Sequence, residues 1–221
     1  MFKKLFSYII PLNIFKQKSA ISQTLEVTWA DGELVLDSKN TNYSYGSLQR
    51  ILRKGLKFIG FEKIKTMDRI LVLGVAGGSI IKTLVDEIHF EGKITGVEID
   101  KSIIEIANEY FHINQIQNLE IVIDDAFEFV LKTKDRYDLI IIDVFQDVRM
   151  PNFLFEKFFI DRICYLLNPK GFILFNTMML NDNQKQLNLD FFNAFDASKY
   201  TVTKLHKIEE LNELIVIESK F

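Results

Sequence analysis

Apolar residues in this chain fall first into alternating runs, then into helical spacing, and from residue 69 onward into a repeated exchange of the two. Between about Ile21 and Ser38, "TLEVTW" alternates Leu25, Val27 and Trp29, "ADG" supplies a turn, and "ELVLDS" alternates Leu34 and Leu36, the pattern of a β-hairpin. The stretch "NYSYGSLQRILRKGLKFIG" then repeats Leu48, Ile51, Leu52 and Leu56 at helical intervals. Residues 1–65 therefore read as a small N-terminal hairpin-plus-helix module, and residues 66–221 as a second, larger unit. The opening "MFKKLFSYIIPLNIF" imitates a signal peptide only loosely, because Pro11 and Asn13 interrupt it and no small-x-small cleavage site follows; a peripheral strand or amphipathic segment is expected there.

From Arg69 the strand pattern "RILVLG" leads into the helical "SIIKTLVDEIH", "KITGVEI" into "KSIIEIANEYF", and "LEIVID" into "AFEFVLKT". "YDLIIIDVF" and "GFILFNTMM" are followed in the same way by helical patterns. The strands are near-continuous Val/Ile/Leu runs, as expected of strands covered by helices on both faces. Only "EELN" separates the last two strand-like runs, "YTVTKLHKI" and "ELIVIES", which is too short for a parallel crossover. The expectation is a doubly wound, mostly parallel α/β sheet of the class I methyltransferase (Rossmann-like) type, ending in an antiparallel hairpin.

Composition narrows the function classes. A net charge of -3 with no dense Lys/Arg block gives no electrostatic reason to expect a nucleic-acid partner. The amino-terminal apolar stretch is too short and broken to span a bilayer. The single cysteine, Cys164, excludes an internal disulfide and suggests a reducing, cytoplasmic setting; in its apolar helical context it reads as a small core residue. His89, His112 and His206 are scattered, so no metal-ligand spacing appears.

The chemistry concentrates at "RILVLGVAGGS". A dinucleotide fingerprint would require G-x-G-x-x-G, but Ala76 and Ser79 stand where its second and third glycines belong, and no G-K-[ST] follows for a P-loop. What remains is a relaxed loop, Gly74, Ala76, Gly77 and Gly78, which lets backbone approach a ligand closely. Glu98 closes the next strand, where a carboxylate can accept two ribose hydroxyl bonds and would repel a 2'-phosphate. Asp125, just past the third strand, is placed to accept from an adenine amino group. All lie at the carboxyl edge of the sheet, where such folds hold ligands, which points to an adenosine without a phosphate tail.

The glycine loop, "VEIDKSIIEIANEYF" and "DDAFEFVLKTKDRYDLIIIDVF" resemble the corresponding blocks of the spermidine synthase family, the polyamine aminopropyltransferases. The resemblance extends to "GELVLDS" and "NYSYGS". It implies decarboxylated S-adenosylmethionine as co-substrate, no metal, and a small-molecule amine as acceptor. Carried over, Gly74 to Gly78 would line the sulfonium nucleoside, Glu98 would hold the ribose and Asp125 the adenine. Asp143 matches the first aspartate of the family's D-S-x-D-P motif and would be the base on the attacking amine. The motif's second aspartate falls on Gln146, with Asp147 one residue further as a substitute, and Val144 replaces the serine. Tyr45 resembles the tyrosine before the family's acceptor-site residues, and Tyr43 and Tyr45 could wall that site. Two other readings stay open: methyl transfer from S-adenosylmethionine to an unidentified small molecule, and a catalytically inactive nucleoside-binding homologue. The intact donor's carboxylate would need a basic partner, and no arginine stands beside Gly74 to Gly78. The family's habit of pairing through the amino-terminal region makes a homodimer possible.

Overall fold

The computed structural model describes the chain apart from Met1, Ala20, Lys39–Thr41, Asp147, Val148 and Glu210, and describes Phe2, Lys3, Gln23, Ser38, Asn42, Tyr43, Ser47 and His206–Glu209 by backbone alone. Asp147 and the side chain of Tyr43, both expected near an acceptor, therefore lie outside the described residues. After a short helix, α1 (Phe2–Phe6), the strands β1 (Leu12–Ser19), β2 (Gln23–Ala30), β3 (Glu33–Ser38) and β4 (Asn42–Ser44) form a four-stranded sheet in sequential, antiparallel order. The expected hairpin is β2–β3. Its neighbour β1 occupies the stretch read as a peripheral strand or amphipathic segment. Asn42–Ser44, expected at the start of a helix, is instead a strand, since Tyr45 at φ 69 and Gly46 at φ 57 turn the backbone before α2 (Gly46–Ile59) begins.

A short helix α3 (Phe61–Lys65) leads into the large unit, whose elements alternate as the sequence patterns predict. They are β5 (Arg69–Leu73), α4 (Ser79–Lys82), β6 (Lys93–Glu98), α5 (Lys101–Phe111), β7 (Leu119–Ile123), α6 (Ala126–Lys132), β8 (Tyr137–Ile142), α7 (Lys157–Leu166), β9 (Leu167–Met178), α8 (Asp182–Asn193), β10 (Tyr200–Glu209) and β11 (Asn212–Ser219). The seven strands lie in the order β10-β11-β9-β8-β5-β6-β7. The chain winds from β5 outward through β6 to β7, then restarts at β8 on the other side of β5. The switch point is thus β5/β8. The closing hairpin is antiparallel as expected, with β11 inserted between β9 and β10.

Double winding is visible residue by residue. Ile70, Val72, Leu139, Ile141, Leu174 and Leu214 face one apolar core, together with Leu52 and Leu56 of α2. Their alternates Leu71, Leu73, Ile140, Ile142, Ile173 and Ile215 face the other, together with Phe159 and Ile163 of α7. A period of two splits each strand between the layers. Leu25, Val27 and Leu36 of the small sheet are fully buried and join the first core. Among the described residues no helix is long and apolar enough to cross a membrane.

Polar ties complete the attachment of the small sheet. Asp100 caps α5, its Oδ1 accepting from the Ser102 N–H at 3.0 Å, while its Oδ2 accepts from the Ser22 hydroxyl at 2.8 Å and from the Ser19 hydroxyl. Asp100→Ala removes a helix cap and two bonds to a charged acceptor, and should cost about 2–4 kcal/mol in urea denaturation. Amide exchange should rise first in β1–β3, and a loss under about 0.5 kcal/mol would show that apolar packing alone holds the small sheet.

Candidate functional site

The loop after β5 is shaped by its neighbours. Gly74 sits at φ 87, and a Cβ there would fall 2.2 Å from the Asp143 carbonyl oxygen, so both backbone conformation and space exclude a side chain. Gly78, at φ 81, caps α4 in the left-handed conformation against Ile113. Gly77 lies beneath Ser44, whose Cβ is 2.8 Å from where a Gly77 Cβ would stand.

The loop also uses its own N–H groups internally. Gly74 donates to the Val97 carbonyl at 2.9 Å and Gly78 to the Val75 carbonyl at 2.9 Å. Val75 and Ala76 donate to Glu98 Oε2 at 3.1 and 3.0 Å, and Ser79 donates to Ser44 Oγ at 3.1 Å. Phosphate-binding loops leave these donors pointing at the ligand. Here they are engaged, which fits the failure of the dinucleotide and P-loop patterns in physical terms.

Glu98 is the hub of that arrangement. It is 8% exposed, and its Oε1 accepts from the Asp100 N–H at 3.1 Å as well. Burial pushes its carboxyl up from the usual carboxylate range, against the pull of the three N–H donors. A carboxylate offers about four acceptor positions. Three are occupied by backbone, leaving room for one ligand hydroxyl rather than the two expected from a strand-end acid.

These residues border a cleft of about 340 Å³ at the carboxyl edge of the sheet, across the switch point. Gly74, Ala76, Glu98, Asp125, Asp143 and Gln146 all line it. Asp125 caps α6, its Oδ1 accepting from Phe127 and Glu128 at 2.8 and 3.2 Å, which leaves Oδ2 for a ligand. Gly77, Gly78 and Tyr45 are not among the lining residues. The Tyr45 ring stacks on Phe111 at 4.6 Å within the first core, and burial raises its hydroxyl pKa well above the ordinary value.

Asp143 follows β8, its N–H donating to the Leu73 carbonyl at 2.9 Å. Burial pushes its carboxyl up to about 6, opposed by a bond from the Asn176 amide and reinforced by the charge of Glu98. Asn176 Nδ2 donates to Asp143 Oδ1 at 2.8 Å, and Asn212 Nδ2 donates to Asn176 Oδ1 at 3.0 Å. An ionised Asp143 can only accept, so the Asn176 amide turns its N–H₂ to the acid and its oxygen to Asn212. Neither asparagine was singled out in the sequence. Their only signal there was a polar residue inside or beside an apolar strand, and the pairing depends on β9 and β11 lying next to β8. Asp124, Phe145 and Phe153 also line the cleft without having been anticipated. Among the described residues no cluster of His, Cys, Asp and Glu is arranged to hold a metal ion.

A family model described as the spermine/spermidine synthase domain matches residues 51–196, and the chain belongs to that family. A polyamine aminopropyltransferase of Vibrio vulnificus (strain CMCP6) is 28% identical over 134 residues, covering 58% of this chain and 44% of the relative. A Drosophila melanogaster protein named eEF1A lysine and N-terminal methyltransferase homolog is 27% identical over 156 residues, covering 66% of this chain and 22% of the relative. The chain thus spans less than half the length of either curated relative. The crystal structure of spermidine synthase from Thermotoga maritima has the same fold, with a TM-score of 0.73 at 18% identity, covering 95% of this chain and 73% of that one.

Gly74→Ala should destabilise the protein by at least about 2 kcal/mol in chemical denaturation, since the left-handed backbone alone costs an L-residue about 1–2 kcal/mol. The Asp143 carbonyl adds a clash. A midpoint equal to wild type would mean that the loop moves independently of β8.

Proposed function

We propose that this member of the spermine/spermidine synthase family binds decarboxylated S-adenosylmethionine and transfers its aminopropyl group to an amine. The observation that carries this reading is the charge of the cleft. Glu98, Asp124, Asp125 and Asp143 line it, and no lysine or arginine is among the described lining residues. A sulfonium and an alkylammonium are both cations and both suit that lining. The intact donor would bring a carboxylate, for which the loop offers neither a basic side chain nor the N–H groups of Gly74, Val75, Ala76, Gly78 and Ser79. Methyl transfer from that intact donor is the competing reading, supported by the name of the Drosophila relative.

In the proposed reaction Asp125 Oδ2 accepts from the adenine amino group and Glu98 from one ribose hydroxyl, which sets the sulfonium near Asp143. The sulfonium is already activated, so the protein's task is to align nucleophile, carbon and sulfur. The amine nitrogen forms a bond to the propyl carbon as the carbon–sulfur bond breaks, its electron pair passing to sulfur to leave neutral methylthioadenosine. A protonated amine has no lone pair for this. Asp143 takes that proton, its Oδ1 steadied by Asn176 so that the other oxygen serves as base. The same reading includes pairing of two copies through the small sheet, where β1 is an edge strand and the preceding segment exposes Leu5, Phe6, Ile9 and Ile10.

Thermal-shift assays should show stabilisation by methylthioadenosine and none by NAD; stabilisation by NAD alone defeats the reading. Turnover with decarboxylated against intact S-adenosylmethionine separates the two transfers.

Asp143→Asn should leave methylthioadenosine affinity nearly unchanged and lower the transfer rate about 10²–10⁴-fold. Wild-type turnover should fall as pH drops through about 6, where Asp143 gains its proton, and Asn176→Leu should move that midpoint upward. The stability effect has the opposite sense. The folded state holds this proton more tightly than the unfolded chain, so the contribution is fully present below about pH 4 and is lost as pH rises through about 6. Asp143→Asn should accordingly be more stable than wild type at pH 8, by up to about 3 kcal/mol, with the difference vanishing near pH 4. Turnover preserved in this variant would make Asp143 structural.

A further inference from the structure

Where β9 and β11 meet the cleft, they present different residues to the two faces of the sheet. On one face Asn176 and Asn212 form the chain that ends on Asp143. Their neighbours Thr177 and Glu213 point the other way, toward α8, as a period of two requires. There Asn188, 1% exposed, donates its Nδ2 to Thr177 Oγ1 at 3.0 Å and to the Met178 carbonyl at 3.2 Å, with Glu213 Oε2 at 3.4 Å. α8 is itself fixed to the sheet by Phe191, which is fully buried with its ring edge-on to Phe175 of β9 at 4.8 Å. Just beyond, the chain leaves β9 and becomes a wall of the cleft through Met178 and Leu180. Both peptide groups between these two residues are tied. The Met178 carbonyl accepts from Asn188, the Met179 N–H donates to the Leu211 carbonyl at 2.8 Å, and the Leu180 N–H donates to Gln184 Oε1 at 3.0 Å. Gln184 is the third residue of α8, and its own N–H donates to Asn181 Oδ1 at 2.9 Å. This is a capping box whose returning side chain reaches one residue past the cap, onto the cleft wall.

Resting on the aminopropyl-transfer reading, we propose that Gln184 and Asn188 are positioning residues for the amine acceptor. In that reading the nucleoside occupies the ends of β6 and β7, and the amine arrives on the far side of Asp143, over β9 and β11. Met178 and Leu180 stand there. The carbon chain of the amine packs on them, which buries apolar surface and aims the nitrogen between Asp143 and the propyl carbon. Gln184 and Asn188 touch neither substrate. They fix the backbone from which the two wall side chains project, and they do so from a helix that is anchored behind the sheet. A Leu180 N–H without its acceptor turns to water instead, and the segment that carries it moves with it. The Asn176–Asp143 pair lies on the opposite face of β9, so the base is set independently of this clamp.

Gln184→Met keeps the length of the side chain and removes the acceptor, whereas Gln184→Glu keeps the acceptor and is equally suited to a capping box. The full chain is assayed with saturating decarboxylated S-adenosylmethionine and with butylamine, 1,4-diaminobutane and 1,5-diaminopentane as probe amines. For the amine that wild type uses best, Gln184→Met should raise KM about tenfold and change kcat less than about twofold, the mark of lost uniform binding. Methylthioadenosine affinity and the midpoint of the pH profile, which belongs to Asp143, should stay at their wild-type values. Gln184→Glu should restore KM. Amide exchange of the Leu180 N–H should be slow in wild type and fast in Gln184→Met. A folded Gln184→Met that loses stability in urea with KM unchanged overturns the proposal and leaves the cap structural. KM and the methylthioadenosine Kd rising together also overturn it, as does fast exchange of the Leu180 N–H in wild type, which needs no variant to fold. Failure of the transfer reading is distinct: wild type would then turn over none of the amines, and the proposal falls with it.

Discussion

The site depends on one buried carboxylate. Glu98 is nearly removed from water, and a charge in that position is tolerated only when hydrogen bonds replace its hydration. The Val75, Ala76 and Asp100 N–H groups do so, and in doing so they fold the glycine loop back against β6. Loop shape and loop chemistry follow together. A loop whose donors point inward has little to offer a phosphate or a carboxylate, so the cleft it borders keeps the negative character of Glu98, Asp124, Asp125 and Asp143. In the proposed reading, preference for a cation is built by where backbone N–H groups are directed as much as by which side chains are present.

The small sheet takes part in that construction. Ser44 on β4 accepts from the Ser79 N–H at the start of α4, and Gly77 has no room for a side chain because Ser44 stands over it. Ser19 and Ser22 reach Asp100, which is bonded in turn to Glu98 through its N–H. Ile21, Ser22, Leu48 and Ile51 line the cleft from the amino-terminal side. The cleft therefore lies between the sheet edge and the amino-terminal elements, and the polar ties between them run through residues adjacent to Glu98.

How much of this is legible in sequence follows from the range of each interaction. The strands of the large sheet are readable because burial on both faces writes a continuous Val/Ile/Leu run, as in "DLIIID". Gly74, Glu98, Asp125 and Asp143 are readable because each stands at a strand end, and strand ends converge on one edge in this topology. Glu98's engagement with the loop is not, since it depends on how Val75 and Ala76 turn back after β5. The Asn212–Asn176–Asp143 chain spans three strands whose adjacency is set only when β11 inserts between β9 and β10. Tyr45 shows the reverse: an aromatic beside a glycine suggests a ligand wall, while the fold spends its ring on Phe111. Its placement is decided by the neighbouring core, which local pattern does not encode.

Asp143 draws these threads into the chemistry. Burial holds its carboxyl near 6, high enough that ionisation costs stability and low enough that it is a carboxylate at neutral pH. In the proposed reaction, arrival of a sulfonium beside it favours the charged form, so the acid is fully ionised when the donor is in place, with a lower affinity for the proton than in the free protein. Transfer then converts the sulfonium into a neutral thioether and removes that stabilising charge. The carboxyl, which took the amine's proton before the attack, then holds it with its buried preference for the protonated form restored. Desolvation, a cost in the free protein, becomes a term that favours the products, with Asn176 fixing the geometry in which the exchange occurs.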